Sequence, residues 1–148
     1  MRLRAAPSVD ELPVLAASGD WEAVFSAVEK GPLEEALAAF LPRRRWFARK
    51  GGRIKSAAVR EAVRFPAGAG TARIALVDVE FLESPAETYL LPLAYATGEE
   101  EATIRREAPM AVVARVRTAS GEEGVLFDAV HDRAFRDELL VSIAAGRR

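Results

Sequence analysis

The sequence contains no cysteine and only one histidine, His131. Disulfide bonds and thiolate metal sites are therefore excluded, and a metal cluster built from histidines is not expected. No run of roughly 20 apolar residues could span a bilayer. The charged start Met1–Arg4 is not followed by the apolar stretch of a signal peptide. These features predict a soluble, cytoplasmic protein that does not contact a membrane.

The usual catalytic motifs are also missing. There is no GxxxxGK[ST] phosphate loop, no GxGxxG after a predicted strand, and no kinase signature of the HxD or DFG type. Asp78 and Asp128 are isolated carboxylates without a second acid at a spacing that suits acid–base catalysis, and His131 precedes a helix, where a surface residue is expected. We therefore predict no catalytic residue, no metal ligand and no cofactor site in this chain.

The charge pattern separates two classes of partner. The formal net charge of -1 makes a nucleic-acid partner a poor match for the protein as a whole. The basic residues are nevertheless concentrated, because the stretch from Arg43 to Lys55 contains seven of them and no acid, whereas an acidic run occupies Glu99–Glu101. A local basic surface is therefore expected.

The first forty residues predict a lead-in followed by two short helices. Residues 1–18 lack a sustained period, and Asp20 is a suitable N-cap for a first helix, which we expect Gly31 to end. Pro32 suits the first position of a second helix that stops at Pro42. The apolar faces are expected to contain Trp21, Val24, Phe25 and Val28 in the first helix, and Leu33, Leu37, Phe40 and Leu41 in the second.

From Gly51 onward the apolar period changes to two, which is typical of half-buried strands. Pro92 suggests that one strand lies at a sheet edge or contains a bulge. We expect a loop from Thr97 through the acidic run, a turn at Ser120-Gly121, and a final helix capped by Asp132 and stopped by Gly146. The apolar sets are Val59, Val63 and Phe65; Ala75, Val77, Val79 and Phe81; Tyr89, Leu91, Leu93 and Tyr95; Met110, Val112, Ala114 and Val116; Val125–Phe127; and, in the helix, Phe135, Leu139 and Ile143. Consecutive strands between terminal helices predict an α+β fold with an antiparallel meander.

The most unusual segment is 41–52, in which two aromatic residues lie among basic residues. Trp46 and Phe47 could anchor the junction between helix and sheet while the arginines remain in water. Alternatively, the aromatic rings could stack on bases and the arginines could contact the phosphates of a single strand. The residues that we assign to a candidate interaction surface are Arg43, Arg44, Arg45, Trp46, Phe47, Arg49 and Lys50.

Three blocks of the sequence resemble the N-terminal cap domain of bacterial maltokinases. They are Arg-Arg-Trp-Phe-x-x-Lys-Gly at 44–51, Tyr-Leu-Leu-Pro-Leu at 89–93, and Asp-Ala-x-x-Asp-x-x-Phe at 128–135. In addition, Leu12–Leu15 and Gly19–Phe25 are similar to the connector that joins trehalose synthase to maltokinase in fused bacterial enzymes. The matching blocks cover about residues 33–146.

The resemblance implies a cystatin-like fold, that is, a curved antiparallel meander with helices at its N- and C-terminal ends. It divides the chain into a connector with a short helix (1–30), a cap-like domain (31–130) and a helix that borders a kinase N-lobe (131–148). It also implies a non-catalytic role as a cap that packs on the kinase N-lobe or on trehalose synthase. The parent kinase transfers phosphate from ATP, with Mg²⁺, to C1 of maltose, which supplies α-glucan and glycogen synthesis. Its catalytic residues follow the cap, so none is assigned here.

Three alternatives remain open at this point. The first is the cap of a related sugar kinase, such as a glucosamine kinase. The second is a module that binds single-stranded nucleic acid through the basic and aromatic residues of segment 43–55. The third is a protease inhibitor, suggested only by the cystatin-like outline, and fold alone does not establish function.

Overall fold

The computed structural model describes residues 8–44, 53–67, 70–131 and 133–144. Over these residues six strands form one sheet in the order β1-β5-β6-β4-β3-β2. The helices are α1 (Lys30–Phe40), α2 (Gly98–Glu107) and α3 (Arg133–Ala144). The strands are β1 (Val14–Ala16), β2 (Ile54–Ala67), β3 (Gly70–Phe81), β4 (Glu87–Ala96), β5 (Val112–Arg117) and β6 (Glu123–Asp128). The predicted α+β class with a curved sheet is confirmed.

Strands β2, β3 and β4 form the antiparallel meander that the alternating pattern predicts. The chain then passes through α2 and returns as the β5–β6 hairpin, in which β6 rather than β5 pairs with β4. The hairpin turns at Gly121, whose φ of +90° favours glycine, as expected for the Ser120-Gly121 turn. No helix among the described residues has both the length and the apolar character needed to cross a membrane.

Strand β1 adds a parallel pair to this sheet, in the region that the pattern predicts as lead-in. Val14 lies opposite Arg115, and Leu15 is buried between the sheet and the residues that cover it. The guanidinium of Arg115 donates to the carbonyl oxygen of Leu12 over 2.8 Å. Three residues are too few to show alternation in the sequence, so only the tertiary contacts reveal this strand.

One face of the sheet, here called the α1 face, is closed by α1 and the 3₁₀ turn Trp21–Phe25. Side chains of successive strand residues point to opposite faces, so every second residue of β3 and β4 lies on this side. The predicted apolar faces of α1, β3 and β4 are confirmed, with the two tyrosines of β4 partly buried. The set is Leu33, Leu37, Phe40, Leu41, Ala75, Val77, Val79, Phe81, Leu91, Leu93, Tyr89 and Tyr95.

The opposite face, here called the α3 face, is covered over only part of its length. Ile104 of α2 and Phe135 of α3 are buried there against Ala72, Ala94 and Phe127. Leu139 packs against the same cluster, as expected from its spacing to Phe135. The expected cap Asp132, the expected stop Gly146 and the side chain of Ile143 lie outside the described residues.

The N-terminal helices differ from the expected arrangement. Asp20 is the N-cap as predicted, because its Oδ1 accepts from the Glu22 amide over 2.9 Å. The helix that it caps is, however, a 3₁₀ turn that ends at Phe25, and Val28 is 93% exposed instead of sharing its apolar face. Gly31 does not end a helix either, since α1 already begins at Lys30. Both differences arise because the Ser26 hydroxyl accepts from the Glu29 amide and so nucleates α1 earlier.

The acidic run does not form the expected loop but the first turn of α2. Glu99, Glu100 and Glu101 lie at its N-terminal end, and Arg105 and Arg106 lie in its last turn. This distribution stabilises a helix, because acids complement the positive end of the helix dipole and bases its negative end. Ile104 is the one residue of α2 that is buried, so no apolar period announces the helix.

Pro92 lies in β4, which is an interior strand of the sheet rather than the edge strand that we expected. Its own position nevertheless explains why proline is tolerated there. The ladder between β4 and β6 begins only at Leu93, which pairs with Asp128, so Pro92 has a paired strand on one side only. A missing amide donor therefore breaks no ladder to β6.

Strand β2 contains a bulge that reverses its pattern. The register shifts between Val59 and Glu61, and beyond the shift Val63 is 51% exposed instead of buried. At the bulge, the Val59 amide donates to Glu34 Oε2 over 2.7 Å, and the Val59 carbonyl accepts from Lys30 Nζ over 3.1 Å. Two side chains one helical turn apart on α1 thus satisfy both backbone groups of a residue on the edge strand.

Replacing Glu34 with alanine should lower the free energy of unfolding by about 1–3 kcal/mol, because a part-buried amide loses a charged acceptor. Urea unfolding measures the loss, and hydrogen exchange should show the Val59 amide among the least protected of β2. Glu35→Ala is the matched control, since Glu35 is exposed on the same helix and should change stability by less than about 0.5 kcal/mol. Equal losses in the two variants would contradict this role of Glu34.

Candidate interaction surface

Two of the seven residues that the sequence assigns to a surface lie within the described structure. Arg43 ends the 3₁₀ turn Leu41–Arg43 that follows α1, and Arg44 is the next residue. Arg45, Trp46, Phe47, Arg49 and Lys50 lie outside the described residues, so their assignment stays a prediction. The geometry of the site is therefore built from Arg43, Arg44 and the groups that they contact.

Arg44 is directed into the protein, and its side chain is only 14% exposed. Its Nη1 donates to the Met110 carbonyl over 2.9 Å, and its Nη2 lies 3.5 Å from Asp128 Oδ2. Its guanidinium carbon also lies 5.3 Å from the centre of the Phe40 ring. One side chain therefore connects the end of α1 to the start of β5 and the end of β6.

Asp128 is the buried partner in this arrangement, with a side chain only 5% exposed. Its Oδ2 faces Arg44, and its Oδ1 accepts from the Val130 amide over 3.0 Å. The second contact orders the turn Ala129–His131 that leads from β6 to α3. We call Arg44, Met110, Asp128 and Val130 the Arg44 junction.

Arg43 lies beside the same aromatic ring but is less firmly held. Its guanidinium carbon is 5.3 Å from the Phe40 centroid, and its Nε donates to the Ala39 carbonyl over 3.5 Å. Partial burial, and then the neighbouring charge of Arg44, lower the pKa of Arg43. Two guanidinium groups thus pack on one phenyl ring, which stays buried beneath them.

The Arg44 junction brings together the three sequence blocks. Arg44 belongs to the first block and Asp128 to the third, 84 residues later. Leu93, in the second block, lies opposite Asp128 in the β4–β6 ladder. Sequence analysis treats Asp128 as an isolated carboxylate, because a contact over this separation leaves no local signal. The only local hint is the Asp-Ala-Val order, in which an aspartate bonds to the amide two residues on.

A second cluster of charges fastens the N-terminal turn to the sheet. Glu22 Oε1 accepts from Arg73 Nε over 2.7 Å and from Arg64 Nε over 3.1 Å. The guanidinium of Arg73 also lies 5.6 Å from the Phe25 ring. Residues before 31, which the sequence assigns to a connector, therefore pack on the same body as the strands. Within the described ranges no three His, Asp or Glu side chains form a group that could hold a metal ion.

The outer end of the α3 face carries a hydrogen-bonded cluster around Asp78. Asp78 Oδ1 accepts from the Thr88 hydroxyl over 2.6 Å and from Arg60 Nη2 over 2.7 Å. These contacts, first Thr88 and then Arg60, lower the pKa of Asp78. The folded state therefore binds the charged carboxylate more strongly than the unfolded chain does.

This pKa shift predicts a pH-dependent contribution to stability. A lowered folded pKa stabilises the protein at pH values above the unfolded pKa of about 3.9, and the contribution is lost as the pH falls through the lower folded value. Asp78→Asn should therefore be less stable than the wild type at pH 6 and equally stable near pH 2, in urea titrations across that range. A difference that stays constant down to pH 2 would contradict the assignment.

Comparison with known proteins adds one match. Residues 40–132 match the family model described as the maltokinase N-terminal cap domain. No curated protein and no solved structure matches the chain. The matched range begins at Phe40 and includes Arg44, the whole meander and Asp128, so both ends of the Arg44 junction lie within it.

Proposed function

Because the chain belongs to the family of maltokinase N-terminal cap domains, we propose that it acts as a non-catalytic cap that packs on a kinase region. The observation that carries the proposal is the family match over residues 40–132. The structure supports it, since the three sequence blocks of the resemblance meet at the Arg44 junction. A cap family is also in keeping with a chain that contributes binding surface and no reaction.

In finer terms, we propose that the partner kinase phosphorylates maltose at C1 with ATP and Mg²⁺, both of which would bind to the kinase lobes. Trehalose synthase is a second proposed partner, reached through the N-terminal residues that resemble the connector of fused enzymes. A kinase that depends on ATP would place the pair in the cytoplasm. The seven residues from Arg43 to Lys50 stay a proposed part of the contact surface, with Arg44 as a positioning residue.

The alternative of a related kinase, such as a glucosamine kinase, remains a proposal with the same cap and a different sugar. The nucleic-acid alternative is less well supported. It requires the arginines of segment 43–55 to contact phosphates, yet the Arg44 guanidinium is engaged with Met110 and Asp128. Arg43 packs on Phe40. Salt-sensitive binding of a single-stranded oligonucleotide, weakened in Arg44→Ala and Trp46→Ala, would restore this alternative.

The direct test is isothermal titration of the purified chain against the separately expressed kinase lobes of a maltokinase. We expect saturable binding in the micromolar range, and the kinase lobes of a glucosamine kinase serve as a comparison for partner choice. If no heat of binding appears at high micromolar concentrations, the proposed docking role is contradicted.

A further inference from the structure

The two faces of the sheet are covered to different extents. On the α1 face, Ala75, Val77 and Val79 are fully buried along β3. On the α3 face, the next strand positions away from α3 are open. Val63, Ile74 and Pro92 lie side by side in one cross-strand row, and the following row contains Leu76 and Leu90. We call these five residues the open apolar rows.

The exposure of the rows is large for aliphatic side chains. Leu90 is 64% exposed and Val63 is 51% exposed, while the three residues between them are partly buried. Contiguous apolar surface of this kind on a sheet commonly marks a protein contact. Beyond the rows lies the Arg60–Asp78–Thr88 cluster, which supplies a polar, hydrogen-bonded boundary. An apolar centre with such a rim is the usual anatomy of a protein–protein interface.

The position of α3 indicates what covers these rows. The match to the cap family ends at residue 132, and α3 begins at the next residue, Arg133. Helix α3 packs on this same face, since the rings of Phe135 and Phe65 lie 5.3 Å apart. In the register of β2, Val63 lies two residues from Phe65 and therefore on the same side of the strand. A region that follows the cap in a maltokinase would thus leave it across this face.

Two more exposed aliphatic residues lie on the path from the cap into α3. Val130, in the turn after β6, is 48% exposed, and Leu140, within α3, is 65% exposed. The exposed apolar surface is therefore continuous in sequence from the end of the matched region into the helix. A partner attached or docked at α3 would cover it without a rearrangement of the sheet.

We propose that the open apolar rows, together with the exposed side of α3, form the surface on which the kinase region docks. This inference rests on the proposed function and adds the face that is used. The rim charges already pair with each other, as in the 2.7 Å contact between Arg60 and Asp78. The kinase surface should therefore present aliphatic side chains rather than a strongly charged patch.

The test compares charge insertions on opposite sides of the sheet. Leu90→Asp and Val63→Asp each place a carboxylate within the rows, and both side chains are exposed enough to be replaced without loss of the fold. Val28→Asp is the matched control, since Val28 is 93% exposed in the segment that leads into α1. Circular dichroism melts confirm that the variants are folded before titration against maltokinase kinase lobes.

We expect Leu90→Asp and Val63→Asp to weaken the binding by about tenfold or more, as for the loss of a central interface residue. Val28→Asp should remain within about twofold of the wild type. The affinity of the wild type should also change little with salt, because the contact is mainly apolar. Docking through the basic segment 43–50 would instead give an affinity that falls steeply as salt is added.

The outcomes separate the two proposals. If the wild type binds and both row variants bind equally well, the face is wrong and the cap role stands. If the wild type does not bind, the cap role and this inference fail together. Hydrogen exchange on the wild-type complex provides a check that needs no variant. New protection at Leu76 and Leu90 supports the inference, and protection confined to other elements overturns it.

Discussion

Replacing Asp128 with alanine should lower the free energy of unfolding by about 3–5 kcal/mol, as expected when one partner of a buried ion pair is removed. The Asp128 side chain is only 5% exposed and faces the Arg44 guanidinium. Its loss leaves a cation 14% exposed with a carbonyl oxygen but no carboxylate, and it also removes the acceptor of the Val130 amide. Since domains of this size are stabilised by about 5–15 kcal/mol, the variant should be close to unfolding at 37 °C.

Urea unfolding at pH 7 measures this loss, with Asp78→Ala as the control. Asp78 also pairs with an arginine, but Arg60 is 59% exposed, and exposed pairs contribute about 0–1 kcal/mol. The double variant Arg44→Met/Asp128→Ala should lose much less than the sum of the two single variants, because no buried charge is left without its partner. Additive losses, or a loss below 1 kcal/mol in Asp128→Ala, would contradict the role of the junction.

The second large effect is expected at Gly124, in β6. A Cβ at this position would lie 2.4 Å from the Ala96 carbonyl oxygen and 2.6 Å from the Tyr95 ring. The first obstacle is backbone in a paired strand, and the second ring is stacked on Trp21 at 5.8 Å. Neither group can move away easily, so Gly124→Ala should cost about 3 kcal/mol, at the upper end of the range for overpacked sites.

The same substitution at Gly31 is the control and should act in the opposite direction. Gly31 lies in the first turn of α1, and a Cβ there would meet nothing within 4 Å. Alanine at this position should stabilise the helix by about 0.5–1 kcal/mol. Thermal and urea unfolding of both variants measure the two effects. If Gly124→Ala were as stable as the wild type, the close approach of β6 to Tyr95 would be wrong.

Most of the regular pattern in the fold could be predicted from the sequence. Strands β3 and β4 alternate over ten residues or more, and the helix face from Leu33 to Leu41 repeats at spacings of three and four. Such periods reflect which side chains leave water, and burial is the strongest single contribution to the fold. They therefore identified the meander and α1 without knowledge of the tertiary structure.

The differences arose where tertiary contacts override the pattern. Strand β1 is too short to alternate, and α2 buries only Ile104, so neither shows a period. The bulge near Val59 moves Val63 from the interior to the surface, and it is stabilised by Lys30 and Glu34 from a distant helix. A single sequence contains no signal for such contacts.

The candidate site shows the same division. The basic and aromatic segment was recognisable, because residues from Arg43 to Lys50 are unusual in composition. The sequence could not show that Arg44 turns inward to Asp128, 84 residues away, or that Leu90 and Val63 meet Leu76 and Ile74 on an open face. These arrangements depend on register and on chain reversal, which are properties of the folded sheet.

The account depends most directly on the absence of catalysis by this chain. The purified 148-residue protein, incubated with ATP, Mg²⁺ and maltose, can be followed by phosphorus-31 NMR. We predict that no sugar phosphate and no ADP accumulate beyond the level of a sample without protein. Formation of maltose 1-phosphate, or steady turnover of ATP, by the chain alone would contradict its assignment as a non-catalytic cap.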